Sequence, residues 1–378
     1  MKFEVMRDRL LEALNDVMKA VSSKTTVAIL TGIKIEAKKE GIYLTGSDAD
    51  ITIQTFIPVE EDGEQIVQLT QTGSIVLQAR FFNEIVRKLP TNDVLIEVKN
   101  GYQTDVRSGK SEFHLIGQDA NDYPLLPQME EDQSFTMPAE LVKSIIRETV
   151  FAVSTSESRP VLTGVNWQIR DGELMCVATD SHRLARRSTK LENAPADEYN
   201  AVIPGKSLNE LNKILEDNSE PVEIVLTSQQ ILFKAGNVLF YSRLLEGNYP
   251  DTSRLIPSEH KTLVVVNGRA LHQAIDRASL LAREERNNVV RFTTQGQNAV
   301  EISSNSPEIG KVEEQVLAEQ IEGEELVISF SAKYMMDALK AIEGHDVQIQ
   351  FTGVMRPFIL KSVHDDAILQ LILPVRTY

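Results

Sequence analysis

The stretch 161–187, VLTGVNWQIRDGELMCVATDSHRLARR, decides how the rest of the chain is read. An earlier passage echoes it. Ile29-Leu30-Thr31-Gly32 matches Val161-Leu162-Thr163-Gly164, and GIYLTGSDADI (41–51) matches GELMCVATDSHRL (172–184). Gly32 and Gly164 lie 132 positions apart, as do Asp48 and Asp180. A fainter third passage runs through VVRFT (289–293) and NAVEISSNSPEIG (298–310). Solenoid units run roughly 20–50 residues, so a recurrence this long is domain-sized. The 378 residues divide into three stretches of 126.

The hydrophobic content of 42% is enough for real cores. The net charge of −16 is spread evenly, five or six negative charges in each third. Phosphate contacts need Lys and Arg, so a nucleic-acid site on such a chain has to be a local basic surface on an acidic body. Cys176 is the single cysteine, which excludes an intrachain disulfide and a multi-cysteine metal site. Its apolar neighbours place it in a core. The N-terminus has no secretory apolar region, and no apolar run approaches the ~18 residues of a membrane span. The expectation is a soluble cytoplasmic protein.

Each third opens with a short strand and a helix. Phe3 and Val5 alternate, and Leu10, Leu11, Leu14, Val17, Met18 and Val21 follow at helical spacing. Phe135 and Met137 precede Leu141, Ile145 and Val150, and 263–266 precede Leu271, Ile275 and Ala278. Alternating strands follow at 33–36, 42–45 and 51–56, punctuated by Gly and Asp as antiparallel hairpins require. Second helices are expected over 79–89, 205–215 and 332–342, and closing segments at 121–127, 247–257 and 371–378. Domain joints are expected near 128 and 258, giving domains 1–128, 129–257 and 258–378. The acidic runs 60–64, 130–132 and 322–325 have no helical period and read as solvated loops.

The second helices carry a basic stripe. Arg80 and Arg87 are seven apart and share a helix face; Lys206 and Lys213 repeat that spacing, and so do Lys333 and Lys340. The steps between thirds are 126 and 127 at both positions. The apolar residues lie elsewhere on each helix: Phe82, Ile85, Val86 and Leu89; Leu208, Leu211 and Leu215; Met335, Ala338, Leu339 and Ile342. One exposed basic face is ordinary. Two positions staying cationic in three diverged units of an acidic chain point to helices facing one polyanion. Such contacts go to phosphates and carry no sequence information. Lys143 and Arg147, Arg7 and Arg277 extend the candidate surface, and the loop residues Lys24, Arg159 and Arg286 are further candidates.

Most catalytic readings fail. Gly109-Lys110-Ser111 and Gly205-Lys206-Ser207 lack the glycine a phosphate loop needs five residues earlier, where Thr104 and Asn200 stand. Asp180, Ser181 and His182 are contiguous, whereas a hydrolytic triad converges from separated segments, and no G-x-S-x-G elbow is present. The six histidines show no metal-ligand spacing. Recognition suits 179–184 better: His182 and Arg183 offer polar handles and Leu184 offers apolar surface.

MKFEV at the start, RPVLTGV, ATDSHRLA, YPDTSRLIP, LPVR near the end and the threefold repeat together resemble the bacterial sliding clamp family, the beta subunits of DNA polymerase III, over the whole chain. The family pattern usually has Gly where Ser181 stands, and often Met where Leu373 and Val375 stand. The resemblance implies an α+β fold of three similar clamp domains, each with two helices packed on antiparallel sheets. It also implies a head-to-tail homodimeric ring, with helices lining a hole that holds double-stranded DNA. The implied activity is a non-catalytic processivity factor, without cofactor, metal or membrane contact.

The resemblance further implies a groove between the second and third domains. That groove takes short motifs containing Gln and Leu or Phe from the replicative polymerase, the clamp loader and repair or translesion polymerases. Its wall corresponds to Leu162, Thr179, His182, Arg183, Leu184, Pro250, Arg254, Leu255, Tyr334, Met355, Pro357, Leu373, Pro374, Val375 and Arg376. Leu, Met and Pro make a dry slot for apolar anchors, with His182, Arg183 and Arg376 at the rim. Only the middle third carries His182-Arg183-Leu184, which accounts for one groove per chain. The implied subunit interface joins Phe113 and Leu115 to Leu280 and Leu281. Two rival readings are a hydrolase centred on 180–182 and an acidic scaffold that binds only proteins.

Overall fold

A computed structural model of the chain describes all residues except 23, 130–133, 196, 283–287, 343–345 and 377–378. The described residues pack as two compact units. One comprises Met1–Val142 with Glu210–Leu244, the other Lys143–Asn209 with Leu245–Tyr378. The middle third of the sequence is thus shared between units, and neither unit boundary falls at the joints expected near 128 and 258. The reason lies in strand pairing. Ile51–Pro58 pairs with Val238–Arg243 in the first unit, and Arg183–Lys190 pairs with Ile368–Ile372 in the second. Sheets therefore run on across the sequence repeats.

The first unit holds a five-stranded antiparallel sheet, whose edge strand is Ser111–Ile116, and an eight-stranded one. The second unit holds a twelve-strand ladder from Tyr199–Pro204 to Val327–Ser331. Within that ladder the long strand Gly310–Gly323 pairs through its first half with Ala299–Ser306 and through its second with Thr262–Asn267.

The 132-residue repeat holds at the level of individual pairs. Lys34 faces Thr45 and Asn166 faces Val177; Gly41 faces Pro58 and Glu173 faces Lys190. The turns match as well. Asp48 Oδ1 accepts the N–H groups of Asp50 and Ile51 at 3.1 and 2.8 Å. Asp180 Oδ1 accepts those of His182 and Arg183 at 2.9 and 3.0 Å. Between acceptor and donors, Ala49 and Ser181 hold φ of 79° and 78°.

Among the described residues six α-helices each follow a strand directly: α1 (Arg7–Val17), α2 (Ala79–Lys88), α3 (Ala139–Thr149), α4 (Gly205–Asn212), α5 (Gly268–Ala282) and α6 (Ala332–Ala341). Helix α1 buries Leu10, Ala13, Leu14 and Val17, the i, i+3, i+4, i+7 set that one face of a 3.6-residue period supplies. Helix α2 buries Ala79, Phe82 and Val86. Phe82 is fully enclosed, so Phe82→Ala would cost about 3–5 kcal/mol. In the second unit Phe292, Phe330, Phe351 and Phe358 form a connected set with ring centroids 5.1–6.3 Å apart. Cys176 is buried, and burial pushes its thiol pKa up.

Three expectations need correction. The helix expected over 205–215 ends at Asn212, and 213–215 continue as hydrogen-bonded turns, with Leu215 N–H on Leu211 O at 3.0 Å. The acidic run 60–64 is not simply a loop, because Glu60–Glu61 and Glu64–Gln65 pair as a small hairpin. The acidic run at 322–325 begins inside the strand Gly310–Gly323.

Candidate functional sites

Arg80, Arg87, Lys206, Lys213, Lys333 and Lys340 are all exposed, while the apolar sides of their helices are buried. In the first unit Arg80 reaches Glu84 at 3.4 Å along its own helix, and Lys213 reaches Glu210 at 2.8 Å. Arg87, Lys333 and Lys340 have no ion-pair partner among the described residues. Lys24, Arg147 and Arg159 are exposed and Lys143 is half-buried. Arg286 lies outside the described residues. Arg7 and Arg277 are already engaged. Arg7 donates to Leu89 O at 2.9 Å and to Asp8, and Arg277 is clamped on Glu314.

Every residue of the expected groove lies in the second unit. The strand Arg183–Lys190 pairs with Ile368–Ile372, which sets Leu184 opposite Leu371. Leu184, Val177, Ile359, Leu369 and Leu371 form a buried cluster, with Tyr249, Ile256 and Leu373 packed on it. Leu373 N–H bonds His182 O at 2.9 Å, and Val375 N–H bonds Ser329 O at 2.8 Å, so the segment after the last strand is tied down beside the turn at 180–183. Around these sit exposed Pro250, Arg254, Leu255 and Met355, half-buried Pro357, Pro374 and Tyr334, exposed Arg376 and buried Leu162.

Arg183 is not at the rim, as the sequence reading expected. It is 7% exposed and every branch of its guanidinium is occupied. Nε donates to Asp180 Oδ2 at 3.0 Å, Nη1 to Asp337 Oδ2 at 2.6 Å and Nη2 to Phe151 O at 2.5 Å. The Tyr334 ring lies over it, centroid 4.5 Å from Cζ, and Phe151 at 5.3 Å. Arg183 therefore positions Tyr334 and the turn, with each of its three guanidinium nitrogens already engaged. His182 is exposed, its ring 6.4 Å from that of Tyr334, and remains a polar handle. Thr179 Oγ1 donates to Arg183 O at 2.6 Å, and Thr179 N–H bonds the Tyr249 hydroxyl at 2.9 Å. Burial pushes the Tyr249 and Tyr334 hydroxyls above the usual phenol range.

Tyr249, Asp337 and Phe151 were missed as parts of this site. One signal was available for Arg183. Its repeat equivalent 132 residues earlier is Ile51, which is fully buried.

Phe113 is partly exposed on the edge strand Ser111–Ile116, with Leu115 half-buried, and Leu280 is 59% exposed on α5 with Leu281 half-buried. Sequence reasoning missed Ile116, which is 83% exposed on the same edge, and Leu317 on Gly310–Gly323. Asp105, Glu112 and His114 offer three close donor atoms beside that edge. Lys99 at 2.5 Å and Arg107 at 3.0 Å already neutralise Asp105, which disfavours a metal there, and Lys99 and then His114 hold its carboxyl down at about 2.

Family models of the DNA polymerase III beta subunit match the chain from end to end: the N-terminal domain at residues 1–127, the central domain at 136–251 and the C-terminal domain at 253–376. The chain belongs to this family, whose members are sliding clamps, and the function that follows is that of a non-catalytic processivity subunit. It is 61% identical to the beta sliding clamp of Bacillus subtilis, over all of both chains, and 53% identical to that of Staphylococcus aureus over the same extent. A crystal structure of the Bacillus subtilis DNA polymerase sliding clamp superposes with a TM-score of 0.98, covering both chains fully. The beta chain from Streptococcus pneumoniae, 41% identical and also fully covered, gives 0.95. The clamp fold of helices on antiparallel sheets, expected from the sequence, is the fold found.

Proposed function

We propose that two copies of this chain close head to tail into a ring around duplex DNA, each contributing three clamp domains, 1–128, 129–257 and 258–378. Arg80, Arg87, Lys206, Lys213, Lys333 and Lys340 face the phosphates, with Lys24, Lys143, Arg147, Arg159 and Arg286 adding to that lining. The observation that carries this reading is the exposure of all six stripe cations at two repeat-equivalent positions of an acidic chain. Phosphates recur along any duplex, so a cationic lining binds without reading bases and lets the protein slide. Edge strand Ser111–Ile116, with Phe113 and Leu115, meets Leu280 and Leu281 of a second copy. An exposed edge is a liability that ring closure removes.

The groove at Leu162, Thr179, Leu184, Tyr334, Met355 and Leu373 takes Gln- and Leu/Phe-containing motifs from the replicative polymerase, the clamp loader and repair or translesion polymerases. Pro250, Arg254, Leu255, Pro357, Pro374, Val375 and Arg376 border it, and His182 is its polar handle. Cytoplasmic residence fits this role; no helix of the described residues is long and apolar enough to cross a membrane.

Calorimetry with a Gln-Leu-Phe peptide tests the groove. Tyr334→Ala, or removal of 373–378, is expected to abolish binding, and wild-type affinity in either variant would place the groove elsewhere. Replacing Arg80, Lys206, Lys213 and Lys333 with Glu tests the lining. DNA association should weaken, and the slope of log K against log salt should flatten by about 0.9 for each phosphate the lining no longer neutralises. An unchanged slope would remove the stripe from the DNA surface.

A further inference from the structure

The repeat builds one cavity twice, with different contents. In the second unit a cavity of about 310 Å³ lies among Ser144, Glu148, Arg187, Ile342, Asp365 and Ile368. In the first unit a cavity of about 310 Å³ is lined by Glu12, Asp16, Thr55, Leu215 and Val238, among others. Glu12, Asp16 and Thr55 precede Ser144, Glu148 and Arg187 by 132 residues each, and Leu215 precedes Ile342 by 127. The same architecture, a first helix, the far end of a strand and the end of the next second helix, encloses both spaces.

In the second unit the chain lines the cavity with its own cation. Arg187 is half-buried there, with Nε 3.2 Å from Glu148 Oε2 and Nη1 2.5 Å from Asp365 Oδ2. The first-unit cavity has no such cation. Thr55 stands at the arginine's position, and its hydroxyl bonds Ala13 O at 3.3 Å. The acid at the Glu148 position is retained as Asp16, and Glu12, Glu61, Glu216 and Glu220 surround it. Among the described residues Arg9 is the one cation of the lining and is already paired with Glu12 and Glu61, while Lys19 pairs with Asp16. Glu216 and Glu220 are exposed and have no cationic partner among the described residues. The floor is apolar, with Ile57, Ile66, Leu215 and Val222 buried along it.

We infer that the first-unit cavity, lined by Asp16, Thr55, Glu216 and Glu220, is a docking site for an arginine side chain of a partner polypeptide with an aliphatic neighbour. The guanidinium takes the position that Arg187 holds on the wall of the repeat-equivalent cavity, and the aliphatic neighbour covers the floor. Arginine fits better than lysine because its planar fork engages carboxylates at two points while its stem lies on apolar surface. The volume suits one such side chain and a neighbour, at the small end of ligand pockets. The surplus of acid excludes an acidic peptide and is independent of the groove beside Tyr334.

The test uses the full chain with isoleucine methyls labelled for NMR, so that Ile57, Ile66 and Ile214 report on the cavity. The probe is acetyl-Ile-Arg-Val-amide, with acetyl-Ile-Glu-Val-amide as its control. Saturable shifts at these three methyls with the arginine probe alone, weakened at least tenfold by Glu216→Lys with Glu220→Lys, are the expected result. Both substitutions are at exposed positions, and unchanged methyl spectra without probe verify the fold. A Gln-Leu-Phe peptide bound beforehand should leave the titration unaltered. Absence of saturation in the millimolar range, equal response to the glutamate probe, or indifference to the charge reversal would overturn the inference.

Discussion

Ala49 and Ser181 hold the same left-handed backbone in two copies of one turn, and neither is glycine. That conformation costs a residue with a Cβ about 1–2 kcal/mol, and glycine gives part of it back in unfolded-chain entropy. Ser181→Gly is therefore expected to raise stability by about 0.5–1 kcal/mol in urea unfolding, with no loss of peptide binding. Arg183 works in the opposite direction. Arg183→Met strips partners from Asp180 and Asp337, and the expected cost is about 3 kcal/mol, the low end for a broken buried pair, because Asp337 keeps some solvent. Asp105 supplies a pH dependence. Lys99 and then His114 hold its carboxyl low, so its ionised form favours the folded state. The contribution is complete above the ordinary carboxylate range and is lost as pH falls from about 4 towards 2. Urea midpoints of wild type and Asp105→Asn should differ at pH 6 and converge towards pH 2; a constant gap would assign the effect to packing.

At the scale of the element, the strands and helices were legible because their periods were clean. Leu10, Leu14 and Val17 predict the buried face of α1, and the 132-residue spacing predicts hairpin registers that agree pair for pair. Less legible were features that depend on residues distant in sequence. The premature end of α4 at Asn212 has no breaker to announce it, since neither Gly nor Pro follows and Leu215 continues the apolar spacing of Leu208 and Leu211. The burial of Arg183 depends on Asp337, 154 residues away, which no local pattern displays. Membership of the groove came from family resemblance, and what each residue does there came from geometry. The edge strand Ser111–Ile116 illustrates the same division. Its alternation marks a strand, but only the sheet order shows that it has one neighbour. If that edge closes on a second copy, Leu280→Ala with Leu281→Ala should give monomers by light scattering at concentrations where wild type is dimeric. A persistent dimer would move the interface away from α5.

For the whole molecule, the question is why an acidic chain should carry DNA at all. Five or six net negative charges in each third repel a duplex, and in the proposed arrangement the basic stripe offsets that repulsion locally. Tight binding would brake movement, since every sliding step would have to break the same contacts. The proposed closed ring would resolve the conflict: topology would supply retention, and a few exposed lysines and arginines only alignment. The two contributions separate experimentally. Loaded on nicked circular DNA, the protein should stay bound through a wash at salt high enough to screen the lining, because the Debye length falls to about 3 Å at 1 M. Cutting the circle once should release it within the time needed to slide to an end, at the same salt and with every protein–DNA interaction unaltered. Retention on the linear product would mean that phosphate binding, rather than closure, holds the DNA. Release from the intact circle at high salt would mean that the ring opens when its charges are screened, and would place the weak point at the subunit edge.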